Sequence, residues 1–149
     1  MTRKTLFPLL MVLFSVAAAP ALTADSATIR PGYWDVTNKV EAIISKTTTE
    51  KRCISPAEVS KFMMGPSNRH YKCEYPTRVF KDGKITLKGQ CASKKGRQVL
   101  IEATGSYAPE SFRLVADVDT TYAGLPLGGR FTTEAKRLGD TCPPDAKSG

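Results

Sequence analysis

The sequence predicts a mainly β protein: an antiparallel meander of about seven strands, a curved sheet or partial barrel, with one short helix packed on an end and disulfides bracing it. Three observations predict this. Two hairpin registers each line up a single apolar face, and four cysteines include a pair that one of those registers brings opposite. A sheet of this length must also bury its apolar side somewhere, and one short helix cannot cover it, so curvature is expected.

The chain has 149 residues. Arg3 and Lys4 precede the apolar run Leu6 to Ala19, and small residues follow at Ala19-Pro20-Ala21 and Leu22-Thr23-Ala24. This is the pattern of a secretory signal peptide over 1–24, cleaved after Ala21 or Ala24, and it predicts a periplasmic or secreted protein. No later stretch is apolar enough to span a bilayer. Cleavage removes two basic residues and no acidic one, which takes the formal charge from +8 to +6. In an exported protein such a charge favours an anionic envelope component, lipid or polysaccharide, over nucleic acid as partner. A hydrophobic content of 41% argues against disorder and for a single β domain over 31–142.

Residues 25–30 read as a loose leader. Pro31-Gly32 opens a first strand, Tyr33 to Val40, with Trp34, Val36 and Val40 on one face by the period of two. Glu41 to Arg52, with Ile43-Ile44 and Thr47-Thr48-Thr49, reads as a second strand ending at Cys53. Ser55-Pro56-Ala57-Glu58 then has the form of a helix start, with Ser55 as N-cap, Pro56 at the first helical position and Glu58 closing a capping box. Val59, Phe62 and Met63 share one side of that helix, which stops at Gly65-Pro66.

Ser67 to His70 is a polar loop into the central hairpin, Tyr71 to Cys91. With Lys81-Asp82-Gly83 as a three-residue loop, Val79 faces Ile85, Thr77 faces Leu87, Tyr75 covers Gly89 and Cys73 meets Cys91. That register selects a Cys73–Cys91 disulfide and leaves Cys53 with Cys142. The second hairpin joins Val99–Ser106 to Phe112–Thr121 through Ala108-Pro109-Glu110-Ser111. It places Tyr107 opposite Phe112, Gly105 opposite Leu114, Ala103 opposite Ala116, Ile101 opposite Val118 and Glu102 opposite Asp117. Tyr122 to Gly129 reads as a flexible loop with exposed apolar residues, able to rim a pocket or touch a membrane surface. Arg130 to Leu138 is the last strand, and 143–149 reads as a disordered tail.

Candidate chemistry is sparse. No Cys-x-x-Cys spacing occurs and His70 is the single histidine, so neither a metal site nor a redox motif is expected, and no cofactor is implied. Glu102, Asp117 and Asp119 share one side of a hairpin, too few oxygen ligands for calcium and without the apolar setting of an acid–base pair, so no catalytic residue is assigned. The first functional expectation is a non-enzymatic binding module whose concave face, with Trp34, Tyr75, Leu87, Ile101 and Leu114, accepts a small apolar or amphipathic ligand. The alternative is an envelope interaction protein that binds anionic lipid or polysaccharide through a basic hairpin face, Lys72, Arg78, Lys84 and Lys88.

Four landmarks occur in order: Pro31-Gly32-Tyr33-Trp34; Cys53-Ile54-Ser55-Pro56-Ala57-Glu58; the spaced Cys73 and Cys91; and Arg137-Leu138-Gly139-Asp140-Thr141-Cys142. Together they resemble the exported bacterial family catalogued as domain of unknown function 3617. The resemblance implies export in a Gram-negative bacterium and a disulfide-braced β fold, and it carries no catalytic residues. The chain departs from many members in lacking methionine- and glycine-rich strands.

Overall fold

A computed structural model describes residues 28–67 and 69–148; the expected signal peptide lies outside them. The strands are β1 (Gly32–Glu41), β2 (Ser45–Ile54), β3 (Tyr71–Lys81), β4 (Lys84–Ser93), β5 (Gln98–Ala108), β6 (Ser111–Tyr122), β7 (Leu125–Gly139) and β8 (Lys147–Ser148), with one helix, α1 (Pro56–Met63), after β2. They form one sheet in the order β3-β4-β5-β6-β7-β1-β2-β8, in which the seven long strands are antiparallel and β8 adds a two-residue parallel edge. Because β7 pairs with β1 while β2 and β3 do not pair, the connectivity is that of a seven-strand meander barrel opened between β2 and β3. The chain passes through α1 between those two strands.

The helix forms as its sequence dictates. The Glu58 amide donates to Ser55 Oγ, the Ser55 amide donates to Glu58 Oε2 at 2.7 Å, and Pro56 occupies the first turn, where no amide is needed. A helix of eight residues has little stability of its own. It is held by burial of Val59 and by packing of Phe62 and Met63 on the sheet.

The central hairpin has the expected ends and a different middle. Asp82 and Gly83 both adopt positive φ, at 51° and 70°, so the turn has two residues and Lys81 pairs with Lys84. From there Phe80 faces Ile85, Val79 faces Thr86, Arg78 faces Leu87 and Thr77 faces Lys88, one residue off the expected register. A bulge between Glu74 and Thr77 sets two residues, Tyr75 and Pro76, against Gly89 and restores the expected pairing of Cys73 with Cys91. The bulge matters for side-chain direction: Phe80 turns inward toward the core, and Val79 turns out to solvent.

The second hairpin adopts the expected register, including Tyr107 with Phe112 and Glu102 with Asp117. Three other expectations need correction. Ile43 and Ile44 belong to the turn between β1 and β2, not to the second strand, and both are exposed. The segment expected as a loop over 122–129 is mostly strand, with a tight turn at Ala123-Gly124 and β7 starting at Leu125; Pro126 is tolerated because β1 no longer flanks β7 there. Finally, the leader is not loose at its end, since Ile29 is 3% exposed and the Arg30 amide donates to the Pro109 carbonyl, and the tail returns through Cys142 to pair β8 with β2.

Both disulfides join the expected partners, Cys53 with Cys142 and Cys73 with Cys91. The core lies on the inner, concave side, with Trp34, Ile85 and Leu87 the largest side chains fully buried. Each contributes about 1.5–3 kcal/mol by area removed from water. Trp34 also donates from Nε1 to the Arg30 carbonyl at 3.1 Å, so its one polar atom is satisfied.

Candidate functional site

The inner face is covered unevenly. Phe62 of α1 stands over its upper part, 4.8 Å from the Phe112 ring and 6.0 Å from Phe80, and Phe112 in turn lies 5.7 Å from Trp34. Between this helix and the sheet is a cleft of about 260 Å³. Its apolar walls are Ile29, Val36, Ile54, Phe62, Phe112 and Leu114, and its polar atoms come from Arg52, Glu58, Asn38 and Thr133.

Those polar groups are organised in two pairs. Thr133 donates from Oγ1 to Asn38 Oδ1 at 2.8 Å, linking β7 to β1. Arg52 donates from one terminal nitrogen to Glu58 Oε1 at 3.1 Å and sets the other 3.7 Å from Glu50. Its Nε is buried and has no hydrogen-bond partner. Burial works against ionisation of Glu58, but hydrogen bonds from Ser55 and the charge of Arg52 outweigh it and hold the carboxyl below its ordinary range. The cleft therefore presents an ionised pair at one wall.

A second depression of about 370 Å³ lies on the same face beyond Pro66, which lines both. The Cys73–Cys91 bridge, Ile101, Val118 and Phe131 surround it. Tyr75 lies beside this boundary, donating from its hydroxyl to the Pro66 carbonyl at 2.5 Å, and burial pushes its phenol upward.

The five expected ligand contacts do not share one concavity. Leu114 lines the cleft, Ile101 lines the second depression, Trp34 and Leu87 are packed in the core, and Tyr75 stands beside Pro66. The expected basic face is also divided. The one-residue register change turns Arg78 to the inner side with Leu87, where it reaches Met64 Sδ, while Lys72, Lys84 and Lys88 remain outside. Lys88 is moreover paired with Glu102 at 3.2 Å.

Three carboxylates on the outer face are matched by cations: Glu102 by Lys88, Glu134 by Arg113 and Asp117 by Arg130. Asp117 accepts from Arg130 at 2.7 and 3.1 Å, and those bonds hold it below its usual range. Among the described residues no cluster of three or more His, Cys, Asp or Glu could hold a metal ion, and no helix is long and apolar enough to cross a membrane.

Arg52, Glu58 and Ile29 were not legible as site residues. Arg52 looked like the end of a strand, Glu58 like a cap and Ile29 like leader. The one available signal was the alternation around Cys53, which puts Arg52 and Ile54 on a common face, an arginine where an apolar residue is usual.

Residues 29–142 match the family described as protein of unknown function (DUF3617). No curated protein and no solved structure matches the chain.

Proposed function

We propose that this chain, which belongs to the DUF3617 family, is a non-enzymatic binding module that holds a small amphipathic molecule between α1 and the inner face of the sheet. The observation that carries this reading is the apolar cleft with the Arg52–Glu58 ion pair at its wall. An apolar hollow with a few convergent polar groups is what a small amphipathic ligand fills.

The same ion pair selects the ligand's polar group. Arg52 already has Glu50 and Glu58 beside it, so a third carboxylate would meet net negative charge. A neutral acceptor, such as an ester or amide carbonyl, suits the site better. The volume is slightly below that of common ligand pockets, roughly 300–1,000 Å³, which favours a compact ligand or one whose chain continues past Pro66 into the second depression. Export to an oxidising compartment, periplasmic or external, is part of the proposal, supported by the signal-like N-terminus and the two disulfides.

The test is native mass spectrometry of freshly purified protein together with titration by the neutral probe N-phenyl-naphthylamine. Extra mass, or probe binding that a monoacylglycerol displaces and Leu114→Trp abolishes, is the expected result. A consistently empty protein whose Trp34 emission ignores neutral amphiphiles sinks the reading.

A further inference from the structure

Three turns project from one end of the sheet. They are the β1–β2 turn, the β4–β5 turn and the β6–β7 turn, which the antiparallel order places side by side. The first and third carry large apolar side chains into solvent: Ile43 is 86% exposed, Ile44 78% and Leu125 66%, with Tyr122 also exposed. These are not scattered single residues on a wide surface; they concentrate on two narrow turns.

Two of the turns are joined: Arg97 of the β4–β5 turn stacks over the Tyr122 ring, at the β6–β7 turn, at 4.9 Å. Cations share this end with the apolar tips: Lys46, Lys94, Lys95 and Arg97 are exposed on its turns and strand ends, and Lys39 is paired with Glu41 at 2.7 Å, leaving Asp119 as the other acid of this end. The opposite end mixes the two signs more evenly: Arg30 lies between Glu110 at 3.6 Å and Asp140 at 3.4 Å, Asp140 is also bonded to Arg137, and the β3–β4 turn carries Lys81, Asp82 and Lys84. The end with the exposed apolar tips carries the larger excess of cations.

We infer that this end of the sheet docks on an anionic phospholipid bilayer, with Ile43, Ile44 and Leu125 entering the interface and Lys46, Lys94, Lys95 and Arg97 meeting the headgroups. A bilayer fits these features better than a protein does. Side chains projecting from separate turns need a surface that deforms around each turn, whereas a protein partner would need a matched pocket for each. Lysine is depleted in protein–protein interfaces, while lysine and arginine beside apolar and tyrosine side chains are what a charged membrane surface attracts. None of these residues lines the cleft between α1 and the sheet.

Co-sedimentation of the purified chain with vesicles of equimolar phosphatidylglycerol and phosphatidylcholine tests it. The wild-type chain is expected to bind these and to bind pure phosphatidylcholine vesicles about tenfold or more weakly, with binding to the anionic vesicles falling as salt rises. Ile43→Ser with Ile44→Ser, and separately Lys94→Glu with Lys95→Glu, should each weaken binding about tenfold and leave the melting temperature unchanged, since all four positions are exposed. Absence of binding to anionic vesicles overturns the inference. So does binding that only Lys72→Glu with Lys84→Glu removes, or a dimer in solution that the Ile43→Ser, Ile44→Ser variant dissociates while vesicles are ignored.

Discussion

Tyr75 lies against Gly89 across the bulge of the central hairpin: a Cβ on Gly89 would stand 2.7 Å from the Tyr75 ring and closer still to the Glu74 carbonyl oxygen. The ring occupies space that any other residue at 89 would fill, and the carbonyl belongs to backbone that cannot rotate away. Gly89→Ala should therefore cost about 2 kcal/mol, a fall of roughly 5–10 °C in Tm by thermal melting. A melt equal to wild type would show that the bulge yields freely.

Glu58 ties the helix start to β2, and its carboxyl is held below the ordinary range despite partial burial. A group with a depressed folded pKa adds stability above its unfolded pKa and loses it as pH falls through the folded value. Glu58→Gln should therefore be less stable than wild type by about 1 kcal/mol at pH 7, and the gap should begin to close as pH falls below about 4.3, the ordinary glutamate value, vanishing only below the depressed folded value. Urea denaturation of both proteins across that range gives the answer; a gap that persists in acid would assign the effect to packing.

Ala123 sits at φ 51° beside Gly124 at φ 79°, a turn in which both central residues take positive φ. Asparagine adopts that conformation more readily than alanine. Ala123→Asn should raise stability by about 0.5 kcal/mol without changing the hairpin register. Its exposure makes lost packing a minor matter, so a decrease in Tm would contradict the turn geometry.

The two disulfides close segments of very different size, with sequence separations of 18 and 89. On loop entropy, replacing Cys73 and Cys91 by Ser should cost about 3 kcal/mol and replacing Cys53 and Cys142 about 4–5 kcal/mol. Chemical denaturation of the two double variants ranks them, and non-reducing peptide mapping checks the pairing. A fragment joining Cys53 to Cys73 would contradict the fold itself.

Much of this architecture is legible from residue order. Ser55, Pro56 and Glu58 announce a helix start through hydrogen bonds made within four residues. The second hairpin is equally local, since one register aligns Gly105 with Leu114 and Ile101 with Val118 and every alternative exposes that face. The central hairpin is legible only at its ends. An Asp-Gly turn accommodates either two or three residues, and the choice was settled by the bulge at Tyr75 and Pro76, a feature with no short-range signature.

The site is less legible for the same reason. Alternation says that Trp34, Leu87 and Leu114 point inward, but not which of them are sealed in the core and which face open space. Local sequence determined the turns, the cap, the strand faces and, through one hairpin, the cysteine pairing, because each rests on contacts between near neighbours or on a period of two. Only the tertiary structure decided that β7 closes on β1 while β2 and β3 stay apart, that Ile29 and Arg52 help wall the resulting cleft, and that Ile43 and Leu125 emerge at one end. Those outcomes depend on how far the whole sheet curves and on where α1 comes to rest, energies summed over many distant side chains that no short window contains.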